Sequence, residues 1–149
     1  MRGFWLFVHY LGYTLWLGGG LGTLVAGVTA KRFAPGERLV AYLLSSAVQR
    51  LLVGPGAVGV VVSGVILSLG YMQSGIVPGW LMLMMASGTL GALVAIGLSV
   101  PTAARLGRLE LDPRGELPEV FPRLRKRQIW AATIAGSWGL IAMAGAALR

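Results

Sequence analysis

Four long apolar blocks constrain this chain more than any other feature of its sequence. They cover residues 4–30, 51–72, 80–101 and 129–148, and none of them contains Asp, Glu, Lys or Arg. A helix needs roughly 20 apolar residues to cross a bilayer core about 30 Å thick, so each block is long enough. The charges lie between the blocks because a charge near mid-membrane costs about 2.5–3.5 kcal/mol. The sequence therefore predicts an all-α polytopic membrane protein, a bundle of four transmembrane helices that forms a single domain over residues 1–149.

Composition excludes several classes of function. The chain has no Cys, which rules out disulfides, thiolate metal sites and thiol catalysis. Its five acidic residues all lie outside the apolar blocks, far from the single histidine, His9, so no Ser–His–Asp arrangement can form. A proton-coupled transporter is disfavoured because a proton relay normally needs carboxylates inside the membrane. We therefore expect a binding or structural role rather than catalysis.

The basic residues predict the orientation of the chain. Net charge is +8, which in a soluble protein would suggest a nucleic-acid partner. Eleven of the 13 basic residues, however, lie in the first and third connections between blocks, as cytoplasmic segments require. We therefore expect both termini outside the cytoplasm and no nucleic-acid partner. The run before the fourth block is predicted to anchor the protein on anionic lipid headgroups through Arg123, Arg125, Lys126 and Arg127.

Small residues repeat every fourth position on two of the predicted helices, and such ladders are typical of helix–helix contacts in membranes. The ladders consist of Gly18, Gly22 and Ala26 in the first block and of Ser87, Gly91, Ala95 and Ser99 in the third. The first block is longer than the apolar core of a signal peptide, so we expect it to be retained. The segment Gly54-Pro55-Gly56 is expected to kink or loosen the start of the second helix.

His9 is the candidate functional residue, because an ionisable side chain at membrane depth marks a functional site by default. Tyr13, Trp16 and Gly20 follow it at spacings of four, three and four, which predicts one helical face that lines a ligand pocket. Two alternatives stay open at this point. The aromatic side chains could belong to the packed core, and His9 could be a neutral residue bonded to a neighbouring hydroxyl or backbone group.

Methionines accompany the histidine in the predicted outer half of the membrane. Met72 ends the second block, and Met82 and Met85 open the third. Thioether sulfur and imidazole both suit Cu(I), so His9 with Met72, Met82 and Met85 forms a candidate copper site. A haem is the other candidate cofactor, held by His/Met ligation, by one histidine in a five-coordinate haem, or by two histidines across a homodimer. The alternative is that these methionines are ordinary apolar filler.

A short motif adds a family resemblance. From His9 to Gly19 the sequence reads His-Tyr-Leu-Gly-Tyr-Thr-Leu-Trp-Leu-Gly-Gly, the pattern H-x6-W-L-G-G in a first transmembrane helix. This resembles the membrane domain of copper-resistance protein D (CopD) and related small integral membrane proteins, and more distantly the HemJ-type protoporphyrinogen oxidases. The resemblance implies a helical bundle of the bacterial cytoplasmic membrane that handles copper, with His9 and Trp16 as the matching residues. The alternative is a non-catalytic accessory or structural subunit of a larger membrane complex, for example a respiratory or photosynthetic one. We therefore expect the chain to form either a homo-oligomer or a subunit of such a complex.

Overall fold

The computed structural model describes residues 1–148, and over that range the chain forms four long helices and no strand. They are α1 (Arg2–Arg32), α2 (Pro35–Gln73), α3 (Gly79–Leu106) and α4 (Phe121–Ala147). The shortest has 27 residues, which is about 40 Å at 1.5 Å per residue and enough to cross a bilayer. The predicted all-α four-helix bundle is confirmed, and the chain is a multi-pass membrane protein.

The two ends of the bundle differ in what they contain. At one end, which we call the terminal end, Arg2 of α1 and Ala146 of α4 line the same cavity, so α1 begins and α4 ends there. The short connection 74–78 between α2 and α3 is at this end as well. The opposite end, which we call the basic end, contains the connections 33–34 and 107–120. Most of the basic residues lie at or beside that second end.

At the basic end the helices continue beyond the apolar blocks. Pro35 begins α2 long before residue 51, and the Glu37 carboxylate accepts a hydrogen bond from the Ala34 backbone N–H at 3.2 Å. This extension buries Leu39 and Tyr42 in a small apolar core at the basic end. The same core contains Leu106, Phe121 and three leucines of the neighbouring segments. Hydropathy alone does not show that α2 begins before residue 51. The thickness of the bilayer determines the length of the apolar block, but a helix can continue beyond the bilayer.

Glycines set the closest approach of α1 to α2. A Cβ added to Gly12 would lie 2.8 Å from the Gly56 carbonyl oxygen, and one added to Gly56 would lie 2.7 Å from the Gly12 carbonyl oxygen. Both obstacles are backbone atoms, which cannot turn aside as a flexible side chain can. Only glycine at these two positions allows the helices to pack so closely, which is the usual role of small residues at membrane helix interfaces.

The two predicted ladders of small residues have different outcomes. All four residues of the α3 ladder are buried, which confirms it as a contact seam. On α1, by contrast, Gly18 and Gly22 are exposed, and a Cβ on either would have no neighbour within 4 Å. The prediction of an α1 seam is therefore wrong for contacts within the chain. Gly19 is the buried glycine there, and its added Cβ would lie 2.9 Å from a Val53 methyl group.

Wide π turns interrupt three of the helices, at Thr14–Gly18 in α1, Gln49–Val53 in α2 and Ala95–Ser99 in α3. In α2 the Gly54 N–H bonds the Gln49 carbonyl five residues back, and in α3 the Val100 N–H bonds the Ala95 carbonyl. Pro55 and Pro101 follow directly, and a proline clashes with the carbonyl four residues before it. A wider turn just before each proline relieves that clash. The predicted loosening at Gly54-Pro55-Gly56 therefore lies just before those residues, at Gln49–Val53, and in the middle of α2 rather than at its start.

Candidate ligand cavity

A cavity of about 340 Å³ opens at the terminal end between all four helices. Its walls are mostly apolar, and its volume falls within the usual range of small-molecule sites, about 300–1,000 Å³. The imidazole and thioether groups in its wall come from three helices: His9 from α1, Met84 and Met85 from α3, and Met143 from α4. One imidazole and three thioethers therefore line one cavity.

A hydrogen bond to α2 orients the His9 ring. His9 Nδ1 lies 2.9 Å from Ser63 Oγ, and the Ser63 hydroxyl lies 2.5 Å from the Gly59 carbonyl oxygen four residues earlier. A hydroxyl has one proton, and the carbonyl can only accept it, so the remaining bond has Nδ1–H donating to Ser63 Oγ. Nδ1 then holds the ring proton, and Nε2 keeps its lone pair. Nε2 makes no hydrogen bond to another side chain in the described residues, and the Val60 backbone is a further hydrogen-bond partner of the ring.

Tyr13 and Trp16 form an aromatic column beside the histidine. The His9 and Tyr13 ring centroids are 5.2 Å apart in an edge-on arrangement, and the Tyr13 and Trp16 rings stack at 6.0 Å. Tyr13 lines the cavity. Trp16 does not line it but packs behind Tyr13, with 2% of its surface exposed. A Cβ on Gly91 of α3 would come within 2.9 Å of the Trp16 ring, so Trp16 fills the centre of the bundle.

Gly20, the fourth residue of the predicted face, does not share the cavity. A Cβ added there would meet nothing within 4 Å, and Gly20 is absent from the cavity wall. Gly20 lies seven residues beyond Tyr13, which is about 10 Å further along α1. Trp16 lies between them and is already outside the cavity wall, so the cavity ends before Gly20. The π turn Thr14–Gly18 also changes the helical phase along this stretch.

The methionines divide into two groups. Met85 lines the cavity as its candidate role requires, together with Met84 and Met143. The sequence places those two methionines in the same outer half, but they were not among the predicted ligands. Met72 and Met82 do not line it: they are 51% and 60% exposed. The sequence did contain a signal for Met84. Met84, Met85 and Gly88 follow Leu81 at three, four and seven positions, so the four residues share one helical face. Leu81 and Gly88 are both buried.

The four predicted anchor residues are not equivalent. Arg123, Lys126 and Arg127 are exposed at the start of α4. Arg125 is half-buried, and its Nε donates a hydrogen bond to the Tyr42 hydroxyl of α2 at 2.9 Å. The Tyr42 ring in turn packs edge-on against Phe121, with centroids 5.3 Å apart. Arg125 therefore joins α2 to α4 at the basic end, a structural role that the basic run did not indicate.

A second polar group, which sequence reasoning missed, lies in the bundle near the basic end. Gln49 is 1% exposed; its Nε2 donates to Thr23 Oγ1 at 3.0 Å, and its Oε1 accepts from Ser99 Oγ at 3.2 Å. Gln128 Nε2 donates to Ser99 Oγ at 2.9 Å. We call these four residues the amide cluster. It takes one residue from each helix, and Gln128 Oε1 is a buried oxygen with no hydrogen-bond partner in the described part of the chain.

The donor chemistry limits which metal could bind. In residues 1–148 no three His, Asp or Glu side chains come close enough to hold a metal ion. A hard ion that needs several carboxylates therefore has no site there. The imidazole and thioethers of the cavity instead match a soft metal centre. Comparison of the chain with protein-family models, curated proteins and solved structures found no match. The resemblance to the CopD and HemJ-type proteins therefore stays a prediction.

Proposed function

We propose that this membrane protein binds a soft metal centre, either Cu(I) or the iron of a b-type haem, in its terminal-end cavity. His9 Nε2 is the nitrogen ligand in this proposal. The observation that carries it is the bond between Nδ1 and Ser63, which leaves the other ring nitrogen available beside the cavity methionines. Metal-ligating histidines in proteins almost always donate their second ring N–H to such a partner, which fixes the tautomer and the ring orientation.

The thioethers supply the second ligand. Met84 and Met85 lie on α3, and Met143 lies on α4, so sulfur can approach from two helices while imidazole approaches from α1. Cu(I) accepts a mixed imidazole and thioether set without a carboxylate. Haem iron accepts the same pair as axial ligands. Arg2 also lines the cavity, and its guanidinium could pair with the carboxylates of a haem, whereas bare Cu(I) gains nothing from a nearby cation.

One preparation tests the proposal and separates its two forms. Detergent-purified protein is titrated with Cu(I) against a competing chelator, and separately with haem, while absorbance and metal content are recorded. We expect one equivalent of one of the two to bind in the parent protein. His9→Ala should abolish that binding. Met85→Leu should weaken it, and the exposed Met82→Leu is the matched control that should not. Absence of stoichiometric binding of both would overturn the proposal.

The charge distribution supports an orientation in which the cavity faces away from the cytoplasm. The cations at the basic end belong in the cytoplasm by the positive-inside rule, and the cavity lies at the other end. The natural chain has no Cys, so single-cysteine variants can be labelled without interference. In bacterial cells an impermeant maleimide should label Ser74→Cys in the 74–78 connection and should leave Glu116→Cys unlabelled. The reverse pattern would contradict this orientation.

A second candidate function, as an accessory subunit of a larger membrane complex, is favoured by one observation. Gly18 and Gly22 form an exposed small-residue ladder on α1, and no other helix within residues 1–148 covers it. Such a ladder lets a neighbouring helix approach closely. Extraction in a gentle detergent should then recover a stable partner, and Gly22→Leu should release it. Recovery of a discrete monomer would count against this candidate.

A further inference from the structure

A groove separate from the cavity runs along the outer surface of α2. Its floor is made of α2 residues spaced by four, namely Gly54, Val58 and Val62, together with Pro55 and Gly59 between them. Ile96 and Val100 of α3 line one side, and Val8 of α1 lies beside Gly59. The groove has a volume of about 530 Å³ and is open to the outside of the bundle. Glycines at positions 54 and 59 let α3 and α1 approach here, since an added Cβ would lie 3.6 Å from a Val100 methyl group and 3.9 Å from a Val8 methyl group.

The basic end of the groove carries one charged residue, Arg50. It lies one helical turn before Gly54 on α2, inside the π turn Gln49–Val53. It is exposed, and it makes no hydrogen bond or ion pair with any part of the chain that the structure describes. The 22 residues that follow it, 51–72, carry no charge, so Arg50 marks the boundary between the hydrocarbon and the headgroup region on α2.

The length of the groove matches one leaflet of a bilayer. Arg50 and Val62 are 12 positions apart, which corresponds to about 18 Å along a helix. Half of a hydrocarbon core of about 30 Å is about 15 Å, so an acyl chain starting near Arg50 would end near Val62. A guanidinium offers paired N–H donors that fit a phosphate, and in a poorly hydrated position this contact is strong.

We propose that this groove is a binding site for one anionic phospholipid of the leaflet at the basic end. Arg50 binds the phosphate, and one acyl chain lies against Gly54, Val58, Gly59 and Val62. A phospholipid fits better than a helix of a protein partner, because the groove joins a single cation at headgroup depth to an apolar channel one leaflet long. This inference does not depend on the metal site at the terminal end.

Native mass spectrometry of detergent-purified protein with added phosphatidylglycerol tests the proposal. The parent should retain one phosphatidylglycerol more tightly than it retains phosphatidylcholine or diacylglycerol. Arg50→Gln should lower that affinity about tenfold, as the loss of one charge-assisted phosphate contact implies. Val58→Trp, at a position that is 48% exposed, should fill the channel and lower affinity similarly without disturbing the core. Val62→Trp replaces it if that variant does not fold.

Two matched controls distinguish a defined site from general attraction to the basic end. Arg32→Gln removes an exposed cation at the same end but outside the groove, and Leu69→Trp adds bulk to an exposed position of α2 outside the groove. Both should bind as the parent does. Equal losses in Arg32→Gln and Arg50→Gln would overturn the proposal in favour of diffuse attraction. Unchanged binding in Arg50→Gln and in both groove-filling variants would also overturn it.

Discussion

The terminal-end cavity and the amide cluster are both polar sites inside an apolar bundle, yet they differ in what their polar atoms face. In the cavity wall, His9 Nδ1 is bonded to Ser63, and Nε2 makes no hydrogen bond to another side chain of the described residues. In the amide cluster, Gln49 uses both of its amide atoms to bind side chains of two other helices. A polar atom that makes no side-chain hydrogen bond and lies beside a cavity can bind a ligand. Polar atoms that bond one another in a packed core instead fix the positions of the helices relative to one another.

The cavity and the amide cluster both include residues of α1 and α2. We expect the largest effect on stability and on metal binding from a substitution that moves these two helices apart. Gly56→Ala places a methyl group 2.7 Å from the Gly12 carbonyl oxygen, so α1 must move away from α2. Overpacking of this kind costs about 1–3 kcal/mol. We expect a clear drop in the melting temperature in detergent together with weaker metal binding, because His9 and its partner Ser63 lie on the two displaced helices.

Gly70→Ala is the matched control for this substitution. It adds the same methyl group to the same helix, where nothing lies within 4 Å of the new atom. We expect it to leave both the melting temperature and metal affinity close to those of the parent. Equal destabilisation by the two variants would show that the glycine crossing does not hold the two regions together.

The comparison is sharpened by Gln49→Leu, which should reduce stability and leave metal binding unchanged. The substitution removes the bonds to Thr23 and Ser99 while keeping a similar side-chain volume. Hydrogen bonds between membrane helices contribute about 0.6 kcal/mol on average and up to about 1.7 kcal/mol, so we expect a loss of about 1–2 kcal/mol in the free energy of unfolding. Equilibrium unfolding in mixed micelles measures it, and the exposed Gln73→Leu on the same helix is the control.

Sequence reasoning predicted much of the fold because lipid imposes strict rules on composition. The four apolar blocks and the α3 ladder of small residues could be identified because charges and bulky residues are excluded for physical reasons. The amide cluster could not be identified in the same way. Gln49 and Gln128 lie just outside the apolar blocks, where polar residues are ordinary, and nothing in a single sequence indicates that they face one another.

The cavity was only partly predictable for a related reason. His9, Tyr13 and Met85 could be selected by residue type and helical spacing, and all three line the cavity. Gly20 was misplaced because a shared helical face does not show how deep a cavity reaches, and this one ends near Tyr13. The π turn at Thr14–Gly18 adds a change of helical phase, and no proline follows it as Pro55 and Pro101 follow the other two turns. Ser63 was missed since it resembles any other small residue of the second block, and its importance comes from a hydrogen bond between helices.

Ser63→Ala should give the opposite result to Gln49→Leu, with weaker metal binding and nearly unchanged stability. Without the hydroxyl, His9 Nδ1 loses its acceptor, and the ring is free to turn or to change tautomer. Loss of an outer-shell partner of a ligating histidine typically costs about 10–100-fold in metal affinity, and we expect the lower end of that range here. Competition titration measures the affinity, and Ser63→Thr should restore much of it. Unchanged affinity in Ser63→Ala would remove the argument for an oriented Nε2.

The smallest expected effect is that of Gln128→Leu. This substitution tests the residue of the amide cluster whose side-chain oxygen has no hydrogen-bond partner in the described chain. This change removes the hydrogen bond from Gln128 Nε2 to Ser99, but it also removes a buried oxygen that has no partner in the described chain. An unpaired buried polar group is itself costly, so the two effects offset each other, and we expect a net change of about 0.5 kcal/mol or less in the free energy of unfolding. A loss of unfolding free energy as large as that of Gln49→Leu would mean that Gln128 Oε1 has a hydrogen-bond partner in the membrane. Gln128 would then belong with Gln49, as a residue whose amide atoms are both bonded.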